Sequence, residues 1–325
     1  MNDILTFKPI YKTKIWGGNK LKNNFGKTDA PQATGESWEV SAVAGNASQI
    51  ANGAFAGEFF DALVKKYPME IMGKRLYKKY GIFFPLLVKL IDASDNLSVQ
   101  VHPDDNAAKK VEGTNAFGKT EMWYVLQADK GSSLISGFKR NVNREKYLKS
   151  VANNDILDIL AVYKVKAGDA FYIPAGRVHA IGRGILVVEV QQTSDTTYRI
   201  FDYNRKGSDD KLRELHTEKA KQALNFDGDD GAPLNLKDLG NGTRLVVQSP
   251  YFIINTLDIK QNIKTDYTHI DSFIILTGIA GKIFVNLDYE PQAELTAGKT
   301  VLIPHIVKNK ITLSGQGKLL EIYIP

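Results

Sequence analysis

Apolar positions along the chain change period several times. Up to about residue 55 they come in short broken groups, punctuated by the turn formers Gly17-Gly18 and Gly35, with a strand expected over Glu39 to Val43. Over 57–80 the spacing turns helical. Phe59, Phe60, Leu63, Val64, Ile71, Met72 and Leu76 recur with Lys and Glu between them, and Pro68 predicts a split into two short helices. Leu148, Val151, Ile156, Leu157 and Leu160 predict a second helical insertion over 143–160, and residues 211–224 predict one more helix.

The rest reads as strand. Phe83 to Ile91 is an apolar run, Leu97 to His102 alternates, Met122 to Leu126 and Ala170 to Ile173 are rich in β formers, and Ile185 to Gln191 leads into a polar strand, Thr196 to Tyr203. Residues 226–242, rich in Gly, Asp and Asn, are expected to be a linker. From Thr243 short, evenly spaced strands favour a sandwich or barrel. The two halves echo each other. Gly168 to Pro174 and Gly298 to Pro304 share a Gly, five residues and a Pro, and each follows an apolar strand, Trp123 to Leu126 and Phe273 to Leu276. The expectation is a mainly β protein of two related barrels, 1–225 with the helical insertions and 243–325.

Composition narrows the chemistry. With no cysteine there are no disulfides and no thiolate metal ligands, so a metal must take His, Glu, Asp or Gln. No apolar run approaches the roughly 20 residues of a membrane span, and the first 16 residues lack a signal-peptide core, so a soluble, cytoplasmic protein is expected. The net charge of +6 is spread over small clusters such as Lys65-Lys66, Lys78-Lys79 and Lys109-Lys110. That reads as solvated surface, and without an aromatic-basic motif no nucleic-acid partner is expected.

Four residues can carry metal chemistry. Gln100 and His102, two apart in an extended segment, project from one strand face. Glu121 opens the next strand, and His179 follows a tight turn, Ile173-Pro174-Ala175-Gly176-Arg177-Val178. Two imidazoles with hard oxygens suit zinc, and manganese, iron or nickel accept similar donors.

The string from Gly168 to His179 resembles the second signature of the cupin fold, so the two barrels are expected to be cupin-like jelly rolls. Gln100 stands where a cupin usually has its first His. That substitution leads to a family. Leu97-Ser98-Val99-Gln100-Val101-His102-Pro103-Asp104-Asp105, Gly118-Lys119-Thr120-Glu121-Met122-Trp123-Tyr124 and Tyr172-Ile173-Pro174-Ala175-Gly176-Arg177-Val178-His179-Ala180 resemble motifs of the type I mannose-6-phosphate isomerases. Pro9-Ile10-Tyr11, Ile15-Trp16-Gly17-Gly18 and Gly35-Glu36-Ser37-Trp38-Glu39 are similar to their shorter bacterial branch, so the resemblance covers most of residues 7–205.

The resemblance implies one zinc ion on Gln100, His102, Glu121 and His179. It further implies a sugar-phosphate substrate whose phosphate meets Lys89, Ser98 and Arg205, and an arginine, Arg199, at the reacting end of the sugar. Lys119, two before Glu121, should share that residue's strand face and point inward, and it is a candidate base for the proton transfer, as is a metal-bound water. Glu189, a carboxylate in an apolar strand, is a candidate acid or base. His216, just before a predicted helix, is expected to be a cap or surface residue. In the second barrel Asn309 stands in the place of His179 and no Gln-x-His pair appears, so that barrel is expected to be metal-free. The expected reaction interconverts mannose 6-phosphate and fructose 6-phosphate through an enediol. Its rivals are another cupin sugar-phosphate isomerase or epimerase and a non-catalytic sugar-binding cupin.

Overall fold

Two strands that read as nearly continuous apolar runs, Leu86–Ala93 and Ile185–Gln192, are buried at every position. In the computed structural model, which describes residues 3–113, 116–207, 210–227 and 231–325, they form the middle of a six-stranded antiparallel sheet. Its order is Ala170–Ile173, Glu121–Ala128, Ile185–Gln192, Leu86–Ala93, Ile10–Gly18, Thr34–Val40. Burial on both faces explains the missing alternation. Leu86, Val88, Leu90, Leu186, Val188 and Val190 pack outward onto Phe273, Ile275 and Ile322 of the second half. Ile91, Val125, Phe171 and Val187 pack inward with Leu97, Leu134 and Ile181 from a facing sheet.

The facing sheet has five strands, in the order Leu160–Lys164, Ser133–Phe138, His179–Ala180, Val99–Val101, Tyr198–Phe201. Helical segments cover its outer side. Tyr147 of Arg144–Ala152 and Ala220 of Thr217–Ala223 join Val99, Val101, Val178, Tyr198 and Ile200 in one cluster. The first half is thus a two-layered β sandwich, with these helices on one side and the helices of 60–80 on the other, where Phe60, Leu63, Ile71 and Leu76 join the cluster of Leu86, Val88 and Phe273.

The second half is built around a ten-stranded sheet whose longest members, Ile274–Leu287 and Ile311–Tyr323, pair along almost their whole lengths. These are longer than the short strands expected there. Two further departures concern the domain boundary. Leu5–Lys8 pairs with Thr300–Ile303, so the N-terminal strand belongs to the second half's sheet. Lys237–Gly240, inside the expected linker 226–242, pairs with Thr243–Gln248; residues 228–230 of that linker lie outside the described residues.

The region 57–80 forms three helices, Phe60–Lys66, Pro68–Met72 and Lys74–Tyr80, not two. Gly73, at φ 90°, makes the additional break. Residues 143–160 give Arg144–Ala152, capped by the Asn143 side chain on Lys146 N (2.9 Å), and then a 3-10 turn, Ile156–Ile159. Over 211–224 only Thr217–Ala223 is helical. Asp105–Glu112 is a helix that the apolar pattern did not predict, because it buries only Ala108. Among the described residues no helix is long and apolar enough to cross a membrane.

Candidate metal centre and active site

Strand register assembles the site. Directly opposed residues of antiparallel strands project from the same face. In the five-stranded sheet His179 lies opposite Ser136 and Gln100, and Gln100 opposite Arg199, so these four form one row. In the six-stranded sheet Trp38, Lys89, Glu189 and Trp123 form another row, and Gln191 lies opposite Glu121. The space between the sheets therefore has an apolar end around Phe171 and Val187 and a polar end lined by these rows.

At the polar end the donor atoms of His102, Glu121 and His179 all lie within 4.8 Å of one another, and all three residues are buried. Each imidazole Nδ1 faces a backbone carbonyl at 2.8 Å, His102 that of Thr196 and His179 that of Arg177. A carbonyl only accepts, so each Nδ1 carries the proton. The two Nε2 atoms are then bare lone pairs, 3.1 Å apart and aimed at each other. Burial keeps both rings neutral. It lowers the pKa of His102, helped by Lys119, and takes His179 down to about 3 with the help of His102. One oxygen of Glu121, Oε2, is buried without a hydrogen-bond partner. Burial alone would raise this carboxyl, but Lys119 and the imidazoles outweigh it and hold it well below the usual range. Two facing lone pairs and an orphaned carboxylate oxygen are donors of the kind a divalent metal takes, and the residues fit one.

Gln100 Nε2 lies 3.3 Å from His179 Nε2. Turning the amide over would put its oxygen there as a fourth donor. The Lys119 ammonium sits 3.1 Å from His102 Nε2 and contacts Glu121 Oε1. It therefore partly neutralises the carboxylate on the side of the cluster that it occupies.

Beyond the centre lies a buried charged group. Lys89 Nζ is 3.3 Å from Glu189 Oε1 and 4.0 Å from Glu36 Oε2, and 5.0 Å above the Trp38 ring. Trp123 Nε1 donates to Glu189 Oε2 (2.9 Å), and Trp38 Nε1 to Glu36 (2.7 Å). Burial and the charge of Glu121 push the Glu189 carboxyl up, against the pull of Lys89. Neighbouring carboxyl groups with pKa values driven apart suit acid and base roles.

Arg199 is half-buried and donates to Glu214 O (2.7 Å), while its Nε has no hydrogen-bond partner. Its backbone N–H donates to His216 Nδ1 (3.0 Å). His216, expected as a cap or surface residue, stands at the N-cap position of Thr217–Ala223, where its carbonyl accepts from Ala220 N (2.8 Å) without a side-chain cap, and its ring also fixes the Arg199 strand. Of the three residues expected at the phosphate, Ser98 lies just before Val99–Val101, two residues from Gln100, and is buried. Arg205 donates to Asn96 O (2.5 Å), two residues from Ser98, and pairs with Asp202 (2.5 Å). Lys89 lies in the opposite sheet, engaged with Glu189. Among the described residues no hydrogen bond or ion pair joins these three.

Several residues of the site were not singled out by sequence. Glu36, Trp38 and Gln191 face the chamber. Glu36 and Trp38 are two apart, as are Glu189 and Gln191, and polar residues at period two in buried strands are the signal that could have found them.

The type I phosphomannose isomerase catalytic domain, as a family model, matches residues 4–134. The chain is 38% identical to a mannose-6-phosphate isomerase of Streptococcus mutans over 91% of its own length and 90% of the relative's. It is 35% identical to a putative mannose-6-phosphate isomerase of Bacillus subtilis over 97% of each. The crystal structure of the mannose 6-phosphate isomerase from Bacillus subtilis superposes with a TM-score of 0.89 at 31% identity, covering 99% of this chain and 100% of that one. The family match takes in Lys89, Ser98, Gln100, His102, Lys119 and Glu121, whereas His179, Glu189, Arg199 and Arg205 lie beyond it in the part shared with the full-length relatives.

Proposed function

The chain belongs to the type I mannose-6-phosphate isomerase family and is an isomerase of that kind, and from this premise we propose that it is metal-dependent and works through an enediol. His102, Glu121, His179 and Gln100 hold one divalent ion, zinc by the balance of imidazole and oxygen donors. The observation that carries this reading is the pair of facing, unprotonated Nε2 atoms. When bound, such an ion supplies positive charge that polarises substrate oxygens.

The substrate is mannose 6-phosphate and the product fructose 6-phosphate. The reaction moves a proton between C2 and C1 and shifts the carbonyl, so negative charge develops on oxygen in the enediol. Arg199, in the Gln100 and His179 row with an unpartnered Nε, supplies a fixed cation for that charge. Glu189, with its raised pKa, moves the proton, and the Lys119 ammonium holds charge balance beside Glu121. Ser98 and Arg205 receive the phosphate at the end of the chamber marked by Asn96, with Lys89 as the buried cation of the facing sheet.

A coupled assay on mannose 6-phosphate tests this, run before and after chelation and after metal is restored. Elemental analysis should give about one metal per chain, by the one-site geometry. Full activity in metal-stripped protein, or full metal retention in a His102→Ala/His179→Ala double variant, would overturn the metal assignment.

A further inference from the structure

Among the described residues, Asp105 and Gln192 make no hydrogen bond or ion pair to the candidate metal donors, yet they are heavily hydrogen-bonded. Gln192 Oε1 accepts from the N–H of Thr120 (3.0 Å), the residue between Lys119 and Glu121. A peptide N–H only donates, so the other end of the amide must be Nε2, and it donates to Asp105 Oδ1 (3.0 Å). The same Oδ1 accepts from Gly118 N (2.8 Å), and Oδ2 accepts from the Tyr251 hydroxyl (3.3 Å).

Asp105 is not needed as the helix cap. Asp104 caps Asp105–Glu112 through Ala107 N (2.7 Å), which leaves the Asp105 carboxylate free to reach the Lys119 segment. That segment lies hard against the backbone after His102. Lys119 N donates to Pro103 O (3.0 Å), and a Cβ on Gly118 would come within 2.6 Å of Asp104 C and Asp105 N. Thr120 adds a further tie, its hydroxyl accepting from Ala175 N (3.3 Å) in the turn before His179. The segments carrying His102, Lys119 with Glu121, Glu189 and His179 thus meet at one hydrogen-bonded knot. Tyr251, from the second half of the chain, closes it from behind.

We propose that Asp105 and Gln192, backed by the Tyr251 hydroxyl, are positioning residues that fix Lys119 and Glu121 at the metal centre and couple that centre to the second half of the chain. This rests on the metal-centre reading above. The physical reason is the short lever. Lys119 and Glu121 flank Thr120, whose N–H the Gln192 side chain holds and whose carbonyl accepts from Gln192 N (3.2 Å), so loss of the side-chain part of the knot frees the Lys119 side of Thr120 and lets the neighbouring charged side chains shift. A displacement of about 1 Å in such a group can lower a rate by ~100-fold. Partners behind metal ligands typically change affinity or activity by about 10–100-fold.

Isomerase kinetics, metal affinity by chelator competition and thermal midpoints are measured on Asp105→Ala, Asp105→Asn, Gln192→Met and Tyr251→Phe. Wild-type turnover on mannose 6-phosphate comes first. An inactive wild type overturns the function proposed above and is distinct from failure of the knot. With an active wild type, Asp105→Ala should lower kcat by about 10–100-fold and weaken metal binding, with KM changed far less. Asp105→Asn keeps an acceptor at Oδ1 and should recover most of that loss. Tyr251→Phe should lower kcat less than Asp105→Ala does. If Asp105→Ala does not fold, Gln192→Met, similar in volume and without polar ends, takes its place. A lower thermal midpoint with kcat and metal affinity unchanged, or an Asp105→Asn variant as impaired as Asp105→Ala, overturns the proposal.

Discussion

Replacing Lys89 by Met separates its role in holding the chamber together from any role toward substrate. Met keeps most of the side-chain volume and removes the charge. In the wild type, burial alone would discharge Lys89, but Glu189 and Glu36 outweigh it and hold the ammonium above the usual lysine range. At 3.3 Å from Glu189 the direct attraction is about 5 kcal/mol at an effective dielectric of 20, and at 4.0 Å from Glu36 about 4 kcal/mol. The cost of burying an ammonium offsets much of this. Removing one partner of a buried pair destabilises by about 3–5 kcal/mol, because the remaining charge is left uncompensated.

The loss should depend on pH in a definite direction. Burial and Glu121 already raise the Glu189 carboxyl, and without Lys89 it rises further. A folded-state pKa above the unfolded value means the folded state holds the proton more tightly. Lys89→Met should therefore be closest to wild type below about pH 4, where Glu189 is protonated in both states, and lose stability as pH rises through the raised value. Urea unfolding from pH 4 to 8 measures this, and Glu189→Gln in the Lys89→Met background should flatten the slope. A loss below about 1 kcal/mol, or one independent of pH, refutes the argument, since it would put the pair in the range of exposed ion pairs. If KM for mannose 6-phosphate rises while KM for unphosphorylated mannose does not, Lys89 also serves the phosphate.

Arg199→Ala should cripple kcat while leaving metal content intact, and Arg199→Lys should rescue poorly because an ammonium lacks the planar fork; a wild-type kcat removes Arg199 from the chemistry. Arg205→Ala should weaken binding of mannose 6-phosphate by about 1.5–3 kcal/mol with little effect on unphosphorylated mannose, the range for charged hydrogen bonds; equal losses for both sugars would make Arg205 structural. For Glu36, burial opposes ionisation, but Lys89 and Lys14 outweigh it and lower the pKa to about 2. Its contribution, about 3 kcal/mol, should be present above about pH 4.5 and lost as pH falls toward 2; acid unfolding of Glu36→Gln should lack that component.

Most of the candidate metal centre was legible because its residues are regularly spaced. Gln100 and His102 are two apart on one strand, Lys119 and Glu121 are two apart, and His179 follows a Pro-x-Gly turn. What stayed hidden depends on register between strands far apart in sequence. Glu36 and Trp38 reach the chamber only because Thr34–Val40 pairs with Leu86–Ala93. His216 meets Arg199 through a return of the chain after Asp210 that no local pattern marks. The pairing of the N-terminal strand stayed hidden for the same reason. Leu5–Lys8 looks like any short strand, and nothing near it says that its partner is Thr300–Ile303. The second break in 57–80 rests on Gly73, whose positive φ is visible only once the helices pack.

The two halves are also not independent in energy. The sheet that carries Glu121 and Glu189 buries its other face on the second half, and Phe84 meets Phe273 at 4.5 Å between ring centroids, with both rings fully buried. Phe273 lies outside the chamber, so Phe273→Ala tests coupling without touching chemistry. A buried Phe→Ala change costs about 3–5 kcal/mol through lost contacts and the cavity left behind. Because the cavity opens against Leu86–Ala93 and Ile185–Gln192, unfolding should remain a single transition, with metal release and loss of activity at the same denaturant concentration. Tyrosine and tryptophan fluorescence, activity and released metal are followed along one urea series. If the second half melts first while activity and metal persist, the halves are separable. The shared core would then be packing between independent domains and not the foundation of the site.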